Sequence, residues 1–222
     1  MPDTETHAAR VRELRDHLRA TIVDRDRAAA VSAALDAVHS GDIGVAELYS
    51  RVLAPLLVDT GASWQAGTTQ VWEEHLASAI VRTIVEALYP EVIRQAGSVP
   101  RRGESVLLAT PPKELHDLGL RMLADRFELA GYDVTLLGAN TPLHEIAAAA
   151  QTIHADLVVL SVSTVYERVE LRDFLDRLRD QVPGARVLAG GAAFAHDHDW
   201  PANELLDLDS LGLASPSQEG PA

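Results

Sequence analysis

The spacing of apolar residues changes once along this chain, and that change limits the fold more than any other feature. Through about residue 96 the apolar positions recur at helical intervals, as in Val45, Leu48, Tyr49, Val52, Leu53 and Leu56, with no strand-like alternation. After residue 104, short runs that are apolar throughout, such as Val106-Leu107-Leu108 and Leu157-Val158-Val159-Leu160, alternate with segments of helical period. A strand that is apolar on both faces needs cover on both, which is the condition of a parallel sheet sandwiched between helices. Gly97-Ser98-Val99-Pro100-Arg101-Arg102-Gly103 separates the two regimes and has no period of its own. The pattern predicts an α/β chain: an N-terminal four-helix bundle over 1–97, a doubly wound, mainly parallel sheet domain over 104–214, and a flexible tail at 215–222.

In the first half, helices are expected at about 5–21, 25–40, 45–65 and 69–95. Asp24 is the expected N-cap of the second, and the fourth starts beside Thr68 and Thr69 with Glu73 and Glu74 in its early turns. Pro55 and Pro90 fall inside these patterns and should kink or interrupt their helices. In the second half, strands are expected at about 105–110, 133–137, 157–162 and 186–189, with helices near 117–131, 142–154 and 167–181. Room remains for a final edge strand near 205–213. Sheets of this kind bind ligands at the carboxyl ends of their strands, which directs attention to the loops after 110, 138, 162 and 189.

Charge and composition then exclude several classes of function. Nineteen basic against thirty-three acidic residues give a net charge of −14, and a surface that negative repels a phosphate backbone, so direct nucleic-acid binding is not expected. The chain has no cysteine, which removes disulfides, thiolate zinc sites, iron–sulfur clusters and a Cys nucleophile, and leaves His, Asp and Glu for any metal. No apolar run approaches the ~20 residues of a membrane span, and the polar start Met1-Pro2-Asp3-Thr4-Glu5 is unlike a signal peptide, so a cytoplasmic setting is expected.

The segment Glu114-Leu115-His116-Asp117-Leu118-Gly119 lies between the first strand and the helix whose buried face is Leu120, Leu123, Ala124 and Phe127. A histidine at that edge of the sheet is either a metal ligand or a base, or an ordinary solvated residue near a helix start. A carboxylate two residues earlier can orient the imidazole, and Gly119 lets something bulky approach the backbone. The pattern Glu114-x-His116-x-x-Gly119 resembles the D/E-x-H-x-x-G motif of cobalamin-binding domains. Two further elements of that family have counterparts here, Ser161-Val162-Ser163 after the third strand and Gly190-Gly191 after the fourth. The resemblance covers roughly 104–194 and implies a Rossmann-like cobalamin domain. In it His116 would displace the cofactor's own base and bind cobalt from below, while Ser161, Ser163, Gly190 and Gly191 would line the slot for the detached nucleotide tail.

In the helical half, Trp64 is followed after nine residues by Glu74-His75, at the end of one predicted helix and the start of the next. By themselves these residues would read as bundle core and a solvated helix start. The Trp-x9-Glu-His pattern, with Val71 inside it, resembles the light-sensing module of the CarH family of cobalamin photoreceptors. That resemblance implies a helical cap over the upper face of adenosylcobalamin, with Trp64 against the adenosyl group and Glu74 and His75 beside it. It further implies a regulatory protein rather than an enzyme, which senses light through photolysis of the cobalt–carbon bond. Full-length members carry a winged helix-turn-helix domain that this sequence does not contain, so output is expected through a partner, a transcription regulator or a second copy of the chain. At the position after the tryptophan the family carries a histidine, and here it is Gln65. The competing resemblance is to the corrinoid carrier proteins of methyltransferase systems, which would hold methylcobalamin and keep the upper face open.

The remaining polar clusters carry less. His196-Asp197-His198-Asp199 could bind a divalent ion but reads more simply as a solvated loop, and His144 and His154 as surface residues. Gly138-Ala139-Asn140-Thr141-Pro142 is a strand-to-helix turn that could border the corrin and lacks the spacing and lysine of a phosphate loop. The single lysine is Lys113, and no nucleophile elbow supports Ser-His-Asp catalysis.

Overall fold

The computed structural model describes residues 2–163, 165–194 and 200–213. The His196–Asp199 cluster and the 215–222 tail lie outside the described residues. Two compact units divide the chain, one holding the helices up to Val92, the other running Ile93–Leu213.

The first unit is helical. Helices α1 (Pro2–Val23) and α2 (Arg27–His39) are joined by a tight turn in which Arg25 takes φ 62°. The cap of α2 is Asp26, whose carboxylate accepts the Ala29 N–H at 2.9 Å, and not Asp24 as the sequence suggested. Either aspartate satisfies the composition rule, and the left-handed residue at 25 decides which one faces the open N–H groups. The third rod is interrupted, as its proline predicts. A single turn α3 (Val45–Glu47) leads into a π-helical stretch, Leu48–Leu53, and then α4 (Ala54–Gln65), with Pro55 in its first turn. Proline has no N–H to give the carbonyl one turn back, so the helix widens just before it. Through Pro90, by contrast, α5 (Val71–Ala96) runs unbroken. Leu18, Leu48, Tyr49, Leu53, Ile80, Ile84 and Leu88 are buried and form the core of this unit.

The second unit is a four-stranded parallel sheet in the order β2-β1-β3-β4, where β1 is Ser105–Ala109, β2 Asp133–Gly138, β3 Leu157–Ser161 and β4 Arg186–Gly190. Helices α6 (Leu118–Leu129), α7 (Leu143–Thr152) and α8 (Val165–Gln181) make the crossovers. Alternation along β1 splits its side chains between two cores. Leu107 and Ala109 pack with α7 and α8 on one face, while Val106 and Leu108 pack with Leu120, Ala124 and Phe127 of α6 on the other. Each face buries a full apolar row, which is why these strands read as unbroken apolar runs. The edge strand anticipated near 205–213 is reduced to one bridge, Ala189 with Leu205. Beyond it the chain turns under α6, where Leu211 and Leu213 are buried, Tyr132 Oη donates to the Leu211 carbonyl at 3.2 Å and Arg126 donates to the Leu213 carbonyl. Among the described residues no helix is long and apolar enough to cross a membrane.

Candidate functional site

At the carboxyl end of β1 the chain leaves the sheet through Thr110 and returns as α6 at Leu118, and the intervening loop holds Glu114 and His116. Glu114 is 1% exposed, yet its carboxylate lies among donors. Oε1 accepts the His116 N–H at 2.8 Å and lies 2.6 Å from His116 Nδ1. Oε2 accepts the Ser163 N–H at 2.6 Å, which ties the loop after β1 to the loop after β3. A buried carboxylate is costly unless its oxygens are hydrogen-bonded, and here three contacts meet that demand. With Nδ1 held by Glu114, the ring nitrogen left for a ligand is Nε2, on a side chain 68% exposed. A buried acid carrying an outward imidazole is the arrangement that orients a metal-binding histidine and fixes its tautomer.

The glycines divide into two kinds. Gly191 has φ 108°, and a Cβ there would overlap the Val162 carbonyl oxygen and come within 2.9 Å of the Val162 nitrogen. Only glycine lets β4 turn against the end of β3, where Val162 N–H donates to Gly190 O at 2.9 Å and Ser161 lies in register with Gly190. Gly190 faces Leu206, whose Cβ would lie 3.1 Å from a substituent. Gly119 differs, because a Cβ there would meet nothing within 4 Å. Nothing in the protein requires a glycine at 119, and the space beside it is open.

The second group of expected residues sits on the hairpin between α4 and α5. Gly67, at φ 71°, ends α4, and Thr68 N–H returns to the Ser63 carbonyl at 3.0 Å. Glu73 Oε2 accepts the Gln70 N–H at 2.7 Å and starts α5. This turn exposes three large apolar side chains, Trp64 (47% exposed), Val71 and Trp72. Trp64 is thus not bundle core, and Trp72, which the sequence reading passed over, shares its exposure. An aromatic residue between Val71 and two acids at a helix start was the available signal. Glu74 accepts the Ser78 hydroxyl at 2.8 Å and lies 3.6 Å from His75 Nε2. Gln65, the last residue of α4, is exposed beside them. His144 and His154 are on the surface, as expected.

The donor set tests what could bind. Among the described residues no three His, Asp or Glu converge on one point. A lone exposed imidazole backed by a buried carboxylate suits a metal that brings its other ligands with it, as a corrin-bound cobalt does, and the open space beside Gly119 suits a bulky group.

Comparison with known proteins gives the same direction. Two family models, both described as B12 binding domain, match residues 104–209 and 14–89. The chain is 36% identical over 158 residues to the HTH-type transcriptional repressor CarH of Myxococcus xanthus, a match that takes in 71% of this chain and 50% of the repressor. It therefore spans about half the length of that relative. To the corrinoid protein DSY3155 of Desulfitobacterium hafniense it is 25% identical over 186 residues, covering 82% of this chain and 84% of that one. The fold matches the monomethylamine corrinoid protein of Methanosarcina barkeri with a TM-score of 0.72 over 83% of this chain and 87% of that one, at 18% identity.

Proposed function

We propose, from the premise that this chain is a cobalamin-binding protein with homology to the CarH repressor, that it is a light-responsive regulator which takes adenosylcobalamin. The observation that carries this reading is the exposed tryptophan on the α4–α5 hairpin. An indole of that size left in water is an unmet apolar surface, and an adenosyl group is a partner of matching shape. Bound adenosylcobalamin supplies a cobalt–carbon bond that light breaks.

The residues divide the work. His116 offers Nε2 to cobalt, and Glu114 fixes its ring and tautomer through Nδ1. Gly119 keeps the approach to His116 clear. Ser161, Ser163, Gly190 and Gly191 line the space for the nucleotide tail, being the small residues at the ends of β3 and β4. Trp64 and Val71 pack on the adenosyl group, while Glu74 and His75 meet its polar edge. Departure of that group would leave Trp64 and Val71 without their apolar contact and bias the hairpin toward a second arrangement, which a transcription regulator or a second copy of the chain reads in the cytoplasm.

A second reading is a corrinoid carrier for methyl transfer, favoured by the match along most of the length of DSY3155. One experiment separates the two. The apoprotein is reconstituted in darkness with adenosylcobalamin and with methylcobalamin, and absorption spectra and affinities are compared before and after green light. The regulator reading expects preference for the adenosyl form, a light-driven spectral change, and loss of that preference in Trp64→Ala. Equal affinity for the two forms in both proteins would instead make the chain a carrier. His116→Ala should lose the cofactor or shift its dark spectrum, and an unchanged spectrum and affinity would remove His116 from cobalt.

A further inference from the structure

The contacts that hold Glu114 extend one layer deeper than its carboxylate. Thr110, fully buried at the end of β1, donates its hydroxyl to the Glu114 carbonyl at 2.7 Å. The same hydroxyl accepts the Asn140 N–H at 2.9 Å, and that N–H also lies 2.9 Å from the Glu114 carbonyl. Asn140 stands at φ 55° in the turn after β2, and its side-chain Oδ1 accepts the N–H of Lys113, itself at φ 72°, at 2.8 Å. The backbone of Thr110 completes the knot, its N–H donating to Gly138 O at 2.9 Å and its carbonyl accepting from Thr141 N–H at 3.1 Å. Two consecutive residues of the loop, Lys113 and Glu114, are thereby fixed to the ends of two neighbouring strands.

We propose that Thr110 and Asn140 are positioning residues which set the Glu114–His116 pair, and through it the strength with which His116 holds cobalt. The inference rests on the assignment of His116 as the lower ligand. Glu114 reaches His116 and Ser163 through contacts of 2.6–2.8 Å, and a carboxylate displaced by about an ångström would leave hydrogen-bond range of all three donors. The Glu114 side chain can keep that register only if its main chain does not slide. A hydroxyl is needed at 110 because it both donates to the Glu114 carbonyl and accepts from Asn140; valine fills the volume of threonine and can do neither. At 140 the left-handed backbone favours Asn or Gly, and only Asn also offers the acceptor for Lys113.

The test uses protein grown with nitrogen-15 histidine and loaded with cobalamin reduced to the Co(II) state. An axial imidazole from the protein then splits the paramagnetic resonance lines into doublets, whereas the cofactor's own base gives triplets. Wild type should show doublets and His116→Ala none. Thr110→Val should lose a large part of the doublet signal and bind about tenfold more weakly, with Thr110→Ser restoring both. If Thr110→Val does not fold, Asn140→Gly decides the matter, since it keeps the backbone conformation, removes only an exposed side chain, and should weaken the same two readouts while Asn140→Asp restores them. Full doublet intensity and wild-type affinity in Asn140→Gly and in a folded Thr110→Val would overturn the proposal. Triplets or no splitting in wild type would instead overturn the assignment of His116, a result distinct from failure of the clamp.

Discussion

At the scale of single residues, two glycines that look alike in sequence make opposite predictions. Gly191 carries φ 108° and leaves no room for a Cβ, so Gly191→Ala should destabilise the unliganded protein by at least ~1–3 kcal/mol in urea unfolding. Gly119 lies in the first turn of α6 with open space beside it, and alanine is the better helix former, so Gly119→Ala should raise apo stability by up to ~1 kcal/mol. The same methyl group enters the space assigned to the corrin, and cobalamin affinity should fall. A Gly119→Ala protein that is more stable and binds as tightly as wild type would detach Gly119 from the site. Motif spacing made Glu114 and His116 legible because they are two residues apart and their chemistry is local. Thr110 and Asn140 were not legible, since they act through main-chain bonds between positions thirty residues apart, and a threonine at a strand end looks like any other.

At the scale of elements, the apolar period located every helix and strand of the sheet unit to within a few residues, and the errors cluster where local geometry overrides composition. The cap of α2 is such a place. Both Asp24 and Asp26 have the right side chain, but only Asp26 has the contact, so Asp26→Ala should cost about 1 kcal/mol and Asp24→Ala very little. Thermal unfolding of the two variants side by side checks this, and equal losses would return the cap to Asp24. The widened turn Leu48–Leu53 was foreseeable as an interruption from Pro55 but not as a π-helix, because several backbone patterns relieve a missing N–H. The segment after β4 was harder still. Its leucines promised a strand, whereas in the structure Leu206 packs over Gly190 and Leu211 and Leu213 reach under α6, an arrangement fixed by Tyr132 and Arg126 rather than by its own pattern. Burial lowers the Arg126 pKa from its ordinary value, and donation to the Leu213 carbonyl partly offsets the loss of water.

At the scale of the whole molecule, each unit has its own core, and the proposal assigns residues of both to one ligand molecule. Thermodynamic linkage makes that assignment testable. A ligand stabilises only what it touches or what is coupled to it, and at one hundred times its dissociation constant the gain is about 2.7 kcal/mol, roughly a hundredfold slowing of hydrogen exchange. In darkness, adenosylcobalamin should therefore protect amides of α5 near Val71–His75 as well as those of β1 and β3. Trp64→Ala should reduce protection mainly on the hairpin, while His116→Ala should reduce it in both units together, because losing the proposed cobalt ligand would weaken the whole complex. On the proposed reading, illumination would remove the adenosyl group but not the contact with His116, so hairpin protection should fall and that of the sheet unit persist. If cobalamin protects the sheet unit alone, in darkness as in light, Trp64 and His75 have no part in binding, and the open-faced carrier becomes the better description of this chain.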